Sequence, residues 1–475
     1  MGIGLSGMTV EHRSVVSVAV PTARRAWATG RVRSSAMRFT ISEIASATGG
    51  EVFGRDVPVD GVTIDSRLVR PGELFVPIVA ERDGHDYIGA ALQAGAAGYL
   101  TSGPIEAATA ILVGDTSAAL TAVGVHARSR LPDRVVAITG SVGKTSVKDL
   151  LAAVTAPTWR TTASVGSFNN ELGVPLTLAN ATDETEVAIV EMGARGRGHV
   201  AALCDVARPT VGVVTVVAGV HLEQFHTLDG VAAAKAELVR ALPASGTAVL
   251  NADDERVAAM ASATEATVVS FGVRGGDVRA EGIALDSDLQ ARFTLRSPWG
   301  SAPVRLAVAG EHQVTNALGA AAAGLVLGTP VEAVANALAS ARLSAMRMDL
   351  VTLADGVRLL DDAYNANPTS MLAALDALVA AKATRRYAVV GTMAEIGDGA
   401  TAAHEAIAQA AAARAVHLVT VDEPRYGVTG PDAVDGPDEA VERLVAAGLA
   451  PGDVVLVKAS RSARLERVVA LLHRR

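Results

Sequence analysis

Cysteine is almost absent: Cys204 stands alone in 475 residues. Neither an internal disulfide nor a cysteine-rich metal cluster can form, which suits a reducing, cytoplasmic compartment. Aromatic residues are also scarce, at 3%, although half the chain is apolar. Much of that apolar half is Ala and Val, so hydrophobicity by itself does not indicate a membrane. Long apolar runs are missing too. An uncharged stretch as long as any in the chain, Gln313 to Val331, is about long enough to span a bilayer, but Asn316, Thr329, Pro330 and many small residues make it read as a buried Ala-rich helix. There is no excess of basic residues: 42 Lys and Arg face 50 Asp and Glu, a net charge of −8, which provides no field to attract nucleic acid. No internal repeat of about 20 to 50 residues is evident, which removes a solenoid.

What is present points to several α/β modules. At roughly 150 residues per domain the length suggests about three domains. Residues 1–36 carry several Arg and a short apolar patch but no signal-peptide core with a cleavage site, and read as a disordered or misassigned leader, with a functional tail as the alternative. Met37 and the helix-like ISEIASATGG open the folded part. From 37 to 132 the chain has its own short strands and Gly-bounded turns, ending in the linker LPDR (131–134). From 133 to 345 β-branched runs alternate with Ala/Leu-rich helical stretches, the pattern of a parallel sheet, with buried strands expected at 135–139, 187–192, 211–217 and 247–251. A third module, 346–475, repeats the alternation, with strands expected at 357–363, 387–392, 417–421 and 453–459 and helices at 370–381, 402–415, 437–448 and 462–472.

The strongest local signal is TGSVGKTS, comprising Thr139, Gly140, Ser141, Val142, Gly143, Lys144, Thr145 and Ser146, between an expected strand and an expected helix. At such a junction backbone N–H groups wrap around phosphate oxygens and the helix N-terminus adds partial positive charge. Lys144 would reach the β and γ phosphates of ATP, and the Thr145 hydroxyl would bind Mg²⁺. The common phosphate loop has Gly where this chain has Ile138, so the loop is a shortened variant. A chance Gly-rich turn is the bland alternative. Glu191 ends the run VAIVEM at the carboxyl edge of the expected sheet, where open α/β folds bind ligands and where a carboxylate suits a hard cation; alone it also reads as a solvated strand-end Glu.

TGSVGKTS resembles the ATP loop of the Mur ligases, the ATP-dependent amide-forming enzymes of peptidoglycan synthesis. The resemblance continues in register over about 430 residues, through FNNELGVPLTL (168–178), VEMGARGRGHV (190–200), HLEQF (221–225), AAAKAEL (232–238), GEHQVTNAL (310–318), LDDAYNANPTSM (360–371) and VLVKASRSARLERVV (455–469). DDAYNANPTSM is most similar to the branch that joins D-alanyl-D-alanine to UDP-N-acetylmuramoyl-tripeptide. The resemblance implies three domains: a smaller N-terminal α/β domain for the UDP substrate, a central phosphate-loop parallel-sheet ATPase domain and a C-terminal Rossmann-like α/β domain. It implies ATP and Mg²⁺ as cofactors and a cytoplasmic monomer, with neither nucleic acid nor membrane insertion.

The chemistry explains the residues required. Joining a carboxylate to an amine requires activation, which ATP supplies by forming an acyl phosphate. Two anions must then meet, so cations must surround the γ-phosphoryl group. The resemblance assigns this work to Lys144 and Arg347, with metal held by Thr145, Glu191, His221 and Lys235, the last carrying a CO₂-derived carbamate. A plain ammonium beside Mg²⁺ would be repelled, which agrees with that modification. An exposed helix lysine is the bland reading of Lys235. By the same resemblance Asn316 meets adenine, Asp362 the ribose, and Asn169 and Asn170 the muramoyl peptide, although Asn pairs also mark turns. His312, four residues before Asn316, is equally readable as a packed helix-start residue. Asn365, Asn367, Lys458 and Arg461 would face the dipeptide, and Ser66 and Arg67 the uridine or diphosphate. Closure of the last domain would exclude water from a labile acyl phosphate.

The chain departs from the family pattern at Ser167, Val216, Ala218, Gln313, Thr392 and Ala459. The phosphate-loop lysine, Glu191, His221 and Lys235 are all retained. Two rivals remain at this stage. One is a sibling amide ligase, such as the enzyme adding the third amino acid or a folate polyglutamating enzyme. The other is a noncatalytic nucleotide switch that kept only the loop, although a switch has no need of separate carboxylate-activating residues.

Overall fold

The computed structural model describes residues 36–106, 108–219 and 222–474. Nearly all of the expected leader and His221 lie outside the described residues. The chain divides into two compact units, Met1–Ala127 with Ala179–Glu184, and Arg128–Leu178 with Thr185–Arg475. Ala179–Glu184, which the sequence reading placed in the central module, thus goes with the first unit.

In the first unit ISEIASAT does form a helix, Ile41–Thr48. Its start is a capping box: Thr40 Oγ1 accepts the Glu43 N–H at 3.1 Å and a Glu43 carboxylate oxygen accepts the Thr40 N–H at 2.7 Å. It stops where Gly49 takes the left-handed conformation, φ 65°. Its apolar face, Ile41, Ile44 and Ala45, is buried. Among the described residues the unit's main sheet has five strands in the order Glu51–Phe53, Ala110–Leu112, Gly98–Thr101, Leu74–Phe75, Val62–Thr63, parallel except for the first pair.

The second unit is built on two sheets. The larger, nine-stranded among the described residues, runs Gly300–Ala309, Gln290–Ser297, Val278–Leu285, Thr267–Gly272, Thr247–Asn251, Val211–Val214, Val135–Thr139, Val187–Glu191, Thr161–Ala163. The strands expected at 135–139 and 247–251 match, 187–192 ends one residue early, and 211–217 stops at Val214. From Thr161–Ala163 to Val278–Leu285 every pair is parallel. Parallel strands are covered on both faces, which is why VVAIT and VAIVE are buried throughout. The last three strands form an antiparallel meander that the sequence reading did not anticipate. The second sheet runs Asp349–Thr352, Arg358–Asp361, Val454–Lys458, Arg386–Val390, His417–Val421, Ala433–Val434, antiparallel only at its first pair.

The uncharged stretch from Gln313 is a buried helix, Gln313–Val326, which ends before Gly328-Thr329-Pro330. It packs against Lys144–Thr155, the helix that follows the phosphate loop. Small residues permit the approach: a Cβ on Gly324 would lie 2.3 Å from Val154 Cγ1, and one on Gly319 3.1 Å from Phe271 Cζ. Alanine and glycine here serve close helix packing within one apolar core.

Candidate active site

The phosphate loop joins Val135–Thr139 to the helix Lys144–Thr155 at the carboxyl edge of the large sheet. Glycine is required twice. Gly140 (φ 146°) would place a Cβ 1.9 Å from Thr215 Oγ1, and Gly143 (φ 86°) would place one 2.4 Å from Asn316 Oδ1. The loop is tied to the strand beside it: Ser141 N–H donates to Val216 O at 2.7 Å, Ser141 Oγ exchanges bonds with both backbone groups of Ala218, and Thr215 Oγ1 donates to Val142 O at 2.6 Å. Thr139 is buried and its hydroxyl donates to Met192 O at 2.9 Å. Ser146 is buried in the first helical turn. Of the loop side chains, Lys144 and Thr145 therefore carry the chemistry. The helix start offers backbone N–H groups without intrahelical partners.

Thr145 is the hub. Its hydroxyl donates to Glu191 Oε2 at 2.7 Å and accepts from Arg347 Nη2 at 2.9 Å. Glu191, 1% exposed, accepts from Asn169 Nδ2 at 2.8 Å on its other oxygen, and its N–H donates to Ser164 Oγ at 3.2 Å. Lys144 Nζ donates to Gly140 O at 2.8 Å. Burial holds its ammonium below the usual lysine range, opposed by the Glu191 carboxylate and reinforced by the Arg347 guanidinium. Lys235 is no exposed helix lysine: it sits 2% exposed in the helix Leu228–Arg240, its amine pushed down to about 7 by burial and then by the Lys144 charge.

Arg347 arrives from the strand-poor connection before Asp349–Thr352. Met346 and Met348 on either side have φ of 63° and 57°, left-handed values that non-glycine residues avoid. Its guanidinium lies 4.3 Å from the Tyr364 ring centroid, and Nε is buried with no hydrogen-bond partner among the described residues. Asp362 accepts from Met348 N–H at 3.2 Å and from Lys458 Nζ at 2.6 Å. Asn316, in the first turn of its helix, donates to Gln313 Oε1 at 2.8 Å. His312 sits at the cap of that helix, its pKa lowered by burial.

Several expected ligands have structural employment. Asn170 Oδ1 accepts the Gly173 N–H at 2.9 Å, which is the turn role of an asparagine. Asn367 is buried and caps the helix Pro368–Ala380 through Ser370 N–H at 2.9 Å. Lys458, expected to face the dipeptide, is 2% exposed and bonded to Asp362 and Asn365 O. Arg461, 3.0 Å from Glu466, and exposed Asn365 remain more open. In the first unit, the Arg67 guanidinium makes two bonds to Asp65, at 2.8 and 2.7 Å, and its backbone N–H a third at 3.0 Å, with Ser66 between the two residues. Sequence reasoning missed Tyr364, Ser164 and Lys148. A second lysine four residues after Lys144, on the buried side of an apolar helix, was the available signal for Lys148.

Comparison with known proteins bears on the fold and the family. The Mur ligase middle domain matches residues 138–324, and the Mur ligase glutamate ligase domain matches residues 346–461. The UDP-N-acetylmuramoyl-tripeptide–D-alanyl-D-alanine ligase of Mycobacterium tuberculosis (H37Rv) is 42% identical, the match covering 92% of this chain and 98% of that one. The protein of that name from Escherichia coli K12 is 36% identical, over 91% and 98%. The crystal structure of MurF from Acinetobacter baumannii superposes with a TM-score of 0.84 at 30% identity, covering 93% of this chain and all of that one. The MurF ligase of Thermotoga maritima, solved in complex with ADP, gives 0.77 at 27%, over 87% and 97%. With its phosphate loop, its three-domain α/β fold and these matches along nearly its whole length, the chain belongs to the Mur ligase family.

Proposed function

We propose that the chain joins D-alanyl-D-alanine to UDP-N-acetylmuramoyl-tripeptide, consuming ATP and yielding the pentapeptide precursor, ADP and phosphate. The observation that carries this reading is the Thr145 hydroxyl, bonded at once to the Glu191 carboxylate and the Arg347 guanidinium. The junction sets a carboxylate and a guanidinium on the loop residue nearest the phosphates, an arrangement suited to phosphoryl transfer, and the match to the ligases along nearly the whole chain directs that transfer to a carboxylate.

In the first step a peptide carboxylate oxygen attacks the γ-phosphorus; the new O–P bond forms as the bond to ADP breaks. In the second, the dipeptide amine attacks the acyl carbon, loses a proton and expels phosphate. Lys144, the loop N–H groups and Arg347 hold the triphosphate and offset the repulsion between the anions. The buried, unpartnered Nε of Arg347 is a donor available to a phosphoryl oxygen. Thr145 and Glu191 supply hard oxygen donors of the kind Mg²⁺ takes, so the residues fit the ion. When bound, Mg²⁺ would neutralise the phosphate charge. Among the described residues no group of three or more His, Cys, Asp or Glu gathers to cage a metal, in keeping with an ion shared with phosphates. His221 is proposed as a further ligand. With an amine near 7, Lys235 is available in its neutral form at physiological pH, the form that attacks CO₂ to give a carbamate and release a proton.

Asn169, freed from any turn role, is proposed at the muramoyl peptide, Asn316 at adenine, and Ser66 and Arg67 at the uridine diphosphate. For the dipeptide carboxylate the reading favours Arg461 over Lys458, whose charge is already paired. Domain limits of 37–132, 133–345 without Ala179–Glu184, and 346–475, a monomeric state and a cytoplasmic location belong to the same proposal. No helix among the described residues is long and apolar enough to cross a membrane.

The test is phosphate release with D-alanyl-D-alanine against single amino acids, each with UDP-muramoyl substrates of different peptide length. The reading expects turnover only with tripeptide and dipeptide together. Preference for a single amino acid would move the chain to a sibling branch. Lys144→Ala should abolish product while the protein stays folded, and near-normal turnover in that variant would discard the mechanism.

A further inference from the structure

Lys148 lies one helical turn beyond Lys144, on the buried side of the same helix, and its side chain is 2% exposed. A buried ammonium needs partners for its three protons. It has them: Nζ donates to Ser164 O at 2.8 Å and Gly166 O at 2.7 Å, and lies 2.9 Å from Asp149 Oδ1. The other Asp149 oxygen accepts the N–H of Ser344 at 2.7 Å, three residues before Arg347. With every proton engaged, Lys148 has no means of contacting substrate.

The carbonyls it gathers open an irregular segment running from Ser164 to Asn170, which has three attachments to the site. Ser164 Oγ accepts from the backbone of Glu191, the Ser167 hydroxyl meets that of Tyr364, and Asn169 donates to the Glu191 carboxylate. Tyr364 in turn stacks under Arg347, which bonds Thr145. Two arms therefore leave the phosphate-loop helix and converge on the activation site: Lys148 through this segment, and Asp149 through Ser344. An apolar side chain would fill the same space without the cost of burying charge, but it could not draw two carbonyls of an irregular segment to one point.

We infer that Lys148 and Asp149 form a clasp that positions Glu191 and Arg347 relative to the phosphate loop, making Lys148 a positioning residue for carboxylate activation. This rests on the ligase reading. A merely structural lysine would lower stability while leaving the folded molecules as fast as before; a positioning lysine lowers kcat in folded protein.

The experiment compares the parent with Lys148→Met, Lys148→Arg, Ser167→Ala and the Lys148→Met/Ser167→Ala double variant, following thermal midpoint, kcat and the KM for ATP in the full reaction. Lys148→Met should lose about 100-fold in kcat, the scale of a misplacement of about 1 Å. Its KM for ATP should stay within about threefold of the parent, because the loop from Gly140 to Thr145 keeps its own bonds. Lys148→Arg retains donors for both carbonyls and should recover most of the rate. The Lys148→Met and Ser167→Ala effects should combine less than additively, since both act through one segment. Folded Lys148→Met with kcat near the parent's, or a loss confined to the KM for ATP, overturns the clasp. Strict additivity of the Lys148→Met and Ser167→Ala losses overturns it as well; if Lys148→Met fails to fold, Ser167→Ala decides, and parental kcat in that folded variant overturns the clasp. A parent enzyme that forms no product overturns the ligase reading and the clasp together, whereas a parent-like Lys148→Met overturns the clasp alone.

Discussion

Replacing Glu191 by glutamine separates the charge of this residue from its shape. Two donors converge on the carboxylate, the Thr145 hydroxyl at 2.7 Å and the Asn169 amide at 2.8 Å, one on each oxygen. Glutamine offers a single oxygen, so one donor must face an NH₂ group. Leaving one buried donor unmet costs about 1–3 kcal/mol, while removal of a carboxylate that is 1% exposed relieves part of its own desolvation. The two effects oppose, and the thermal midpoint of Glu191→Gln should shift only slightly. Activity should not follow stability. The amide lacks the negative charge that suits a divalent cation, and loss of one preorganised electrostatic partner is worth roughly 100- to 1,000-fold in kcat. ADP release coupled to a chromogenic readout, with Mg²⁺ titrated at saturating substrates, measures both consequences: a lower plateau and a higher Mg²⁺ midpoint. A folded Glu191→Gln enzyme with parental kcat and an unmoved Mg²⁺ midpoint would refute the assignment of Glu191 to the metal and the activation site.

Other perturbations have equally definite signs. Lys235 has a folded pKa near 7, depressed from the usual lysine value, so the protonated form opposes folding; the penalty is full below about pH 7 and fades as pH rises toward about 10.4. Lys235→Met, compared with the parent by urea denaturation without bicarbonate, should gain about 3–5 kcal/mol near pH 7 and nothing at pH 10. Lys235→Ala should also be partly rescued in activity by a short carboxylic acid, and complete failure of rescue would count against the carbamate. Asp361 is raised to about 7, first by burial, so its stability contribution is present below about pH 4 and lost as pH climbs through 7. Asp361→Asn keeps an acceptor for the Ala363 N–H and should stabilise by about 2 kcal/mol at pH 8 and not at pH 4. Gly324→Ala forces a methyl 2.3 Å from stiff Val154, and should lower stability by about 1–3 kcal/mol in the same denaturation assay.

The parallel strands were readable because burial on both faces demands continuous apolar runs, and VVAIT, TAVLN and HLVTV needed no tertiary information. The antiparallel meander was not read, since one face is wet and its strands interleave Arg292, Arg296 and Arg305 with buried Ala291, Phe293 and Leu295. Strict alternation in QARFTLRS was the signal for it. The phosphate loop and Glu191 were visible from local context, strand then glycine then helix. The burial of Lys458 was not legible because its partner, Asp362, is 96 residues away, and a long-range ion pair leaves no local trace. Asn367 was legible in principle: Asn before Pro with Ser three positions on is a helix start, and its amide belongs to the cap before it belongs to any ligand.

The segment around Arg347 shows how the site uses stability that the cores supply. Two non-glycine residues in left-handed conformation, one on each side of Arg347, cost of the order of 1–3 kcal/mol each, and such strain persists only where the surroundings over-determine it. Here they do so by distinct anchors: Met346 N–H on Asp349 at 3.1 Å, Met348 N–H on Asp362 at 3.2 Å, and Tyr364 N–H on Met346 O at 3.3 Å. Asp362 is itself held by buried Lys458. The pair expected at ribose and dipeptide therefore also acts as the fixed post against which Arg347 is bent toward Thr145. A relaxed backbone would leave a long, flexible guanidinium to find the phosphoryl group for itself, at an entropic cost during each turnover. Binding the strain into the fold moves that cost out of the catalytic cycle, which explains why a buried lysine at the end of the strand Val454–Lys458 matters to chemistry centred on Thr145, in the first turn of the phosphate-loop helix.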